Sequence, residues 1–582
     1  MSGNLKTALI SHLEFIYPDE NHAVLADRII DVFWPNGGGD MLLDKIHAGR
    51  ELWSEKTSLL ITYADSLLRE NEVPLQTLHT FLNTHLKDGL SGVHLLPFFP
   101  FSSDDGFSVM DYYEVREDLG TWNDIRDIGC DFDIMSDMVL NHASAKGTWF
   151  QKYLDGEKGY ENFFISVDPD EDLSMVVRPR SLPLLSPFQT ARGEEYLWTT
   201  FSDDQIDLNY ENPEVLLKMI EVMRLYLDHH VKILRLDAVG FLWKIIGTSC
   251  IHLAQTHEVM KLFRTLMEYY RDDVILITET NVPHMENVSY FGDQDEAHVV
   301  YNFSLPPLLV YGLLTGDEGP LKFWMKGLGP LPEGCTFFNF VAGHDGIGLR
   351  PAAGFLATEQ VNSMISTIKE FGGEVSMRAV GASGEEKPYE MNVSLFDALK
   401  GTIHGADEFQ RERFMASQIF MLGFQGIPAL YIHSLLATPN DYALYEKTGH
   451  KRSLNRHRWD MRELEAKLSD PQSDQYFALH RLKFILDIRQ QEACFHPGAR
   501  QITLQTPPGL AGYKRLSRDE NEYILCVTNL TASEQRMKIT PFHDPAYKGM
   551  YRDILTDRAY DVEGEELVFD PYQAMWLKFT LA

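Results

Sequence analysis

Short apolar runs rich in leucine and β-branched residues recur along the chain, and stretches of helical periodicity separate them. SLLITYAD at 58–65, GVHLLPFFP at 92–100, DFDIMSDMVL at 131–140, VKILRLDAV at 231–239, VILITET at 274–280, AHVVYNFS at 297–304, TFFNFVAGHD at 336–345 and IPALYIHS at 427–434 read as strands. Between them lie segments such as VLLKMIEVMRLYLDHH at 215–230, apolar on one helical face. Repeated strand–helix units of this kind predict the α/β class and a closed (β/α)8 TIM barrel. Leu5, Leu9, Leu13 and Ile16 stand near helical spacing and predict an N-terminal helical extension over 1–57. The barrel then occupies 58–142 and 211–496. The interval 143–210, rich in aromatics, proline and charge, is too long for a loop and reads as a small inserted domain after strand 3. FGGEVSMRAVGASGEEKPYE at 371–390 reads as a long surface loop able to move, and 497–582 alternates in the strand manner, which predicts a closing antiparallel β domain.

Composition narrows the partners. With 52 basic against 85 acidic side chains the net charge is −33, which disfavours nucleic acid and anionic membranes, since both are bound through basic patches. Such acidity is compatible with plain solubility and also with a salty cytoplasm. The cysteines, Cys130, Cys250, Cys335, Cys494 and Cys526, are odd in number and have no CxxC spacing, so free thiols in a reducing cytoplasm are expected. The first residues, MSGNLKTALISHLEFIYPDE, lack the pattern of a secretion signal, and no run is long and apolar enough to span a membrane.

Acids and histidines cluster at the ends of the predicted strands. Asp237 ends LRLD and Glu279 ends ILITE, about 40 residues apart, the length of one βα unit, so both face one mouth of a barrel. Two carboxyls across a sugar, one attacking and one donating a proton, are what a retaining glycosidase or transglycosidase requires. Arg235, two residues before Asp237, shares its strand face and can keep it ionised. Read alone, an Arg-x-Asp pair is more often an ordinary ion pair at a sheet end. Glu279 at the end of an apolar strand is placed for a raised pKa and a retained proton. Asp345 with His344 can grip adjacent sugar hydroxyls, or simply cap a strand end.

Taken together, DMVLNH at 137–142, RLDAVGF at 235–241, Glu279 and the His344-Asp345 pair resemble the four sequence regions of the α-amylase superfamily over roughly 58–580. DDGFSVMDYYEV at 104–115, SDDQIDLNYENPEV at 202–215, DAVGFLWKIIGTSC at 237–250 and HDGIGLRP at 344–351 look like its sucrose-phosphorylase subfamily. The resemblance implies Asp237 as nucleophile, Glu279 as general acid/base and Asp345 as transition-state stabiliser. It implies Asp104 and Arg456 as a clamp on the far edge of the glucose, and His142, Arg235 and His344 as further hydrogen-bonding partners. Phe107 and Phe201 match aromatic walls, and Gln205 a residue near the developing cationic centre. Phe241 stands where sucrose-cleaving members often carry Tyr. Arg178 and Arg180 can offer planar, multi-donor recognition of phosphate. The subfamily has an Arg at the Arg180 position and a Tyr at the Tyr389 position. No cofactor is implied, and no metal, although Asn141 matches a calcium ligand of many amylases.

The expected activity is phosphorolysis of a small α-glucoside, with inorganic phosphate and glucose 1-phosphate as partners, by a monomer or homodimer. The N-terminal extension, FPFSSDDGFSV, TETNVPH and CIHLAQTH resemble phosphorylases of glucosylglycerate and glucosylglycerol. The acidic composition tilts the expectation to glucosylglycerol, an osmolyte. Arg350 and His252 would favour a carboxylate acceptor, with Arg350 equally able to be structural. Glucosylglycerate, then sucrose or sucrose 6-phosphate phosphorolysis, then plain α-glucosidase activity are the alternatives. A silent barrel scaffold is disfavoured because all three acids are present.

Overall fold

The computed structural model describes residues 5–35, 51–180, 182–380, 385–543, 549–561 and 566–581. Eight parallel strands close into a barrel: β1 (Leu59–Thr62), β2 (Gly92–Leu95), β3 (Asp133–Val139), β4 (Val231–Asp237), β5 (Ile275–Thr278), β6 (Val299–Tyr301), β7 (Thr336–Asn339) and β8 (Ile427–Tyr431). Neighbours in space are neighbours in sequence, and β1 closes on β8 through Leu59 with Ala429 and Leu60 with Leu430. Every residue of β1, β2, β5 and β7 is buried. That is the burial expected of parallel strands sealed outside by crossover helices and inside by their own side chains. The predicted α/β barrel is therefore the fold.

The strands are shorter than the apolar runs that announced them. β2 stops at Leu95, ahead of Pro97, which has no N–H to give a ladder. β7 stops at Asn339, so His344 and Asp345 belong to the loop beyond the strand rather than to its end.

Two helices, Leu5–Ile16 and His22–Phe33, lead into the barrel. The buried stripe Leu5, Leu9, Leu13 and Ile16 lays the first against the helix Ala254–Tyr270, which joins β4 to β5. His12 adds polar contacts to Glu258 at 2.6 Å and Thr265 at 2.9 Å. Arg28 of the second helix makes two 2.8 Å bonds to Glu214 on Pro213–Asp228, the helix that precedes β4. Both helices flanking β4 are thus braced by the N-terminus. Residues 36–50 of the expected extension lie outside the described residues.

After β3, His142–Ser144 pairs antiparallel with Gln205–Asp207, which brings the two ends of the insertion together above the barrel. The segment expected as a loop at 371–390 is instead largely strand. Glu374–Val380 pairs antiparallel with Glu385–Asn392, Val375 opposite Met391, and Ile347–Gly348 adds along the other edge. Alternation accords with it on the first strand, where Val375 is buried between half-buried Glu374 and Ser376, while on the second Tyr389, Glu390, Met391 and Asn392 are all buried. Residues 381–384 of that segment lie outside the described residues. The hairpin holds Tyr389 and Glu390 in register instead of leaving them on a free loop.

The C-terminal residues form a six-stranded antiparallel sheet with its own core around Leu510, Leu525, Tyr551 and Leu577. It is stapled to the barrel by buried polar groups. Tyr513 donates to the Phe420 carbonyl at 2.6 Å, and Arg515 donates to the carbonyls of Gly423 and His496, each at 2.8 Å. Gly423 ends the helix Gln410–Gly423 where a Cβ would come within 2.8 Å of the Tyr513 hydroxyl, so only glycine permits the approach. Burial pushes the Arg515 guanidinium down to about 10, because it faces carbonyl dipoles in place of a carboxylate. Among the described residues no helix is long and apolar enough to cross a membrane. Arg515→Ala strands both carbonyls without a donor, and a loss of about 3 kcal/mol in urea unfolding is expected. An unchanged midpoint would show that the two units hold together without this staple.

Candidate active site

The floor of the site is one buried guanidinium. On β4 the side chains of Arg235 and Asp237 fall on the same face, and Arg235 Nη1 donates to Asp237 Oδ1 at 2.8 Å and to Asp137 on β3. Arg235 Nε donates to the Tyr301 hydroxyl on β6 at 3.1 Å, and Nη2 lies 3.9 Å from Glu279 Oε2. Asp137 in turn accepts from His94 Nε2 on β2 at 2.7 Å. Strands β2 to β6 are tied through this row. Burial opposes the charge on Asp137, but Arg235 and His94 outweigh it and hold the carboxyl below its ordinary value.

Glu279 stands one residue past β5 and accepts the Ala238 N–H at 3.1 Å, just after the nucleophile position. Ala238 adopts φ +50, the left-handed turn that ends β4 and aims this N–H across the mouth. Burial pushes Glu279 up to about 7, and the charges of Asp237 and Asp345 outside Arg235's favour add to it. Burial raises Asp237 as well, against the pull of Arg235. The two carboxyls titrate as a pair. Arg235 lies at 2.8 Å from Asp237 and 3.9 Å from Glu279, so the negative charge sits on Asp237 and the shared proton on Glu279.

Asp345 is held from the other side. Arg452 Nη1 reaches it at 2.7 Å and Asp104 at 3.7 Å, while Arg452 itself is gripped by Glu390 through bonds of 2.9 and 3.0 Å. Burial alone would neutralise Asp345, but Arg452, with His344 and Arg456 behind it, keeps its carboxyl well below the usual range. Burial pushes His344 down to about 3, so it is a neutral ring, stacked on Phe107 at 5.1 Å.

One cavity collects most of the expected residues. Asp104, Phe107, His142, Phe201, Gln205, Arg235, Asp237, Glu279, His344 and Asp345 line it together with Arg180, Tyr389 and Arg350. His142 Nε2 donates to the Phe107 carbonyl at 2.9 Å, and Gln205 Nε2 donates to Asp104 at 3.3 Å, which fixes the wall between insertion and barrel. Arg180 lies over the Tyr389 ring at 5.3 Å. Two expected residues fall elsewhere. Arg178 donates to the Leu182 carbonyl within its own loop. Arg456 stands behind the wall, paired with Asp105 and donating Nε to the His344 carbonyl at 2.8 Å, so it does not form the expected clamp with Asp104. The cation beside Asp104 is Arg452, in the turn Lys451–Asn455 just ahead of Arg456. Three arginines in KRSLNRHR, at 452, 456 and 458, are indistinguishable by residue type, and Arg452, which lines the cavity, is the one held by Glu390 on the distant hairpin. Phe241, packed edge-on to Phe201 at 5.6 Å, together with Asn281 and His252, completes the acceptor end.

Asn141, at the expected calcium position, meets an ammonium. Lys244 Nζ donates to Asn141 Oδ1 at 2.7 Å and lies 2.5 Å from Asp207 Oδ2, a cation already built into the chain. Among the described residues no group of three or more His, Cys, Asp or Glu is arranged to hold a metal.

Glu279→Gln keeps an acceptor for the Ala238 N–H and removes the buried charge. A carboxyl whose folded pKa is raised loses stability as pH climbs from its ordinary value through about 7. The variant is therefore expected to be more stable than the parent at pH 8, by about 2–3 kcal/mol, and nearly equal to it at pH 4. Thermal melts at the two pH values check this; a gain that is the same at both would mean that Glu279 is ordinary.

The site has close relatives. Residues 84–311 match the α-amylase catalytic domain. A glucosylglycerate phosphorylase of Allomeiothermus silvanus is 43% identical over 580 residues, 99% of each chain. A glucosylglycerol phosphorylase of Marinobacter adhaerens is 27% identical over 73% of this chain and 86% of its own. Among solved structures, the sucrose 6F-phosphate phosphorylase from Thermoanaerobacter thermosaccharolyticum superposes with a TM-score of 0.70 at 25% identity, covering 88% of this chain and 97% of that one. With its barrel, its three acids and this end-to-end likeness, the chain belongs to the sucrose-phosphorylase subfamily of the α-amylase superfamily and is an enzyme of the phosphorylase type.

Proposed function

We propose that the protein is a retaining glucosylglycerate phosphorylase, which exchanges the glycerate of an α-glucoside for phosphate and releases α-glucose 1-phosphate. The likeness over the full length to a glucosylglycerate phosphorylase carries this reading, against a far lower and partial likeness to a glucosylglycerol phosphorylase. The expectation of glucosylglycerol rested on acidic composition, a property of the whole surface that says nothing of the acceptor pocket. In that pocket Arg350 brings a cation and His252 a ring nitrogen, which supports an anionic acceptor in a protein of net charge −33.

In this mechanism Asp237, ionised against Arg235, attacks the anomeric carbon while Glu279 gives its proton to the departing glycerate oxygen. The glucose is then β-linked to Asp237. Asp345, aligned by Arg452, stabilises the positive charge that develops at the ring. Phosphate enters the vacated side, steered by Arg180 and the Tyr389 hydroxyl, and attacks the same carbon. Glu279, now a carboxylate, takes up the phosphate proton and is reset, and configuration is retained after two inversions. The described cysteines are all unpaired thiols, which supports a reducing compartment such as the cytoplasm.

The acceptor is tested by supplying glucose 1-phosphate with glycerate, glycerol, fructose or fructose 6-phosphate and measuring phosphate release. Glycerate is expected to lead by at least about tenfold in kcat/KM; a lead for glycerol or fructose would overturn the reading. Because the first step needs protonated Glu279, kcat/KM for phosphorolysis is expected to fall about tenfold per pH unit above about 7. Asp237→Asn is expected to abolish both directions.

A further inference from the structure

Next to Arg350 and His252, two residues that line the cavity, stands a further carboxylate. Glu286, on the short helix His284–Val288 after β5, puts Oε2 at 3.8 Å from Arg350 Nη2 and 3.3 Å from His252 Nε2. Its side chain is 45% exposed, while those of Arg350 and His252 are 17% and 16% exposed. The anion is therefore the more exposed member and the two donors the more buried ones.

His252 is built into position. It takes φ +56, unusual for a non-glycine residue, and its N–H donates to the Gly240 carbonyl at 2.9 Å. A Cβ on Gly240 would come within 3.0 Å of the ring, so the glycine three residues after Asp237 makes room for it. The Tyr290 hydroxyl lies 2.7 Å from Nδ1. With that hydroxyl donating, the ring proton is on Nε2, a buried atom with no hydrogen-bond partner despite Glu286 nearby. Burial, with His257 and Arg350, pushes His252 down to about 4, so the ring is a neutral donor at neutral pH. Arg350 opens the turn Arg350–Ala352 and also feels Arg378 of the hairpin, a like charge. Among the described residues Glu286 is the one carboxylate paired with Arg350, and only at 3.8 Å. Two fixed donors and a loosely seated, half-exposed acid describe a carboxylate site filled by a stand-in.

We propose that Arg350 and the Nε2–H of His252 form the seat for the carboxylate of the acceptor, and that Glu286 occupies this seat until the acceptor acid displaces it. The proposal rests on the glycerate reading above and assigns its specificity to named residues. A three-carbon acid brings the same carboxylate chemistry as Glu286 at the end of a short chain, so it can replace the stand-in without new charge in the pocket. Glycerol, lacking that charge, leaves Glu286 in place. The seat uses Arg350 and His252, whereas the phosphate uses Arg180 and Tyr389.

The test measures kcat/KM for glycerate and for glycerol, with glucose 1-phosphate as donor, in the parent, Arg350→Ala, Arg350→Lys and Glu286→Gln. In Arg350→Ala the glycerate-to-glycerol ratio is expected to fall about 100-fold, and Arg350→Lys, which keeps a point charge, to recover part of it. Glu286→Gln weakens the competitor and is expected to lower KM for glycerate about three- to tenfold with little change for glycerol. If the parent itself does not prefer glycerate, the function reading fails and this inference falls with it. If the parent prefers glycerate and both Arg350→Ala and Glu286→Gln keep its ratio, the seat alone is refuted. A rise in KM for phosphate with an unchanged ratio would assign Arg350 to phosphate and equally refute it. Should Arg350→Ala fail to fold, Glu286→Gln at the surface decides by itself.

Discussion

A single buried cation organises this enzyme. Arg235 is buried inside the barrel, so it must be matched by charge and hydrogen bonds from several strands at once. Asp137, Asp237, Tyr301 and, at longer range, Glu279 supply them. The same requirement fixes the geometry of the acids. Because the guanidinium touches Asp237 and only approaches Glu279, it divides one proton between two neighbouring carboxyls, leaving one charged and one protonated, the division the proposed mechanism needs. Removing the cation would leave both acids facing each other in a dry pocket, where neither role could be kept.

A second arginine does the corresponding work on the far wall. Arg452 links Asp345 to Glu390, and through Glu390 to the hairpin that also carries Tyr389. The stabilising acid is therefore coupled to an element placed late in the chain and packed over the mouth. Hairpin, turn and the loop of Asp345 are tied together, because breaking the Arg452–Glu390 fork would strand a buried carboxylate. Lys244 plays a similar part below the insertion, neutralising Asp207 where β3 gives way to the inserted segment.

Much of this was legible in the sequence. The eight apolar runs marked the barrel because parallel strands must be buried on both faces, and that burial forbids polar alternation. Asp237 and Glu279 were legible because each closes such a run, and a chain that leaves a barrel strand can only emerge at the mouth. The hairpin at 374–392 was read as a loop since its glycines and charges mask a pairing that only the partner strand reveals. Arg452, four residues before the Arg456 that the resemblance implied, was not legible for the same kind of reason: which arginine faces Asp104 depends on how the turn packs.

Sequence alone determined the barrel, its order of strands, the three acids and the phosphorylase class, since those depend on local periodicity and on short motifs read along one strand. Tertiary structure decided how the charges are shared: which arginine touches Asp345, which carboxyl keeps the proton, that Lys244 fills a cation position, and that Glu286 rests between Arg350 and His252. Each of those is a distance between residues far apart in the chain, inside a medium of low dielectric where an ångström changes the winner. No pattern along the chain records such distances.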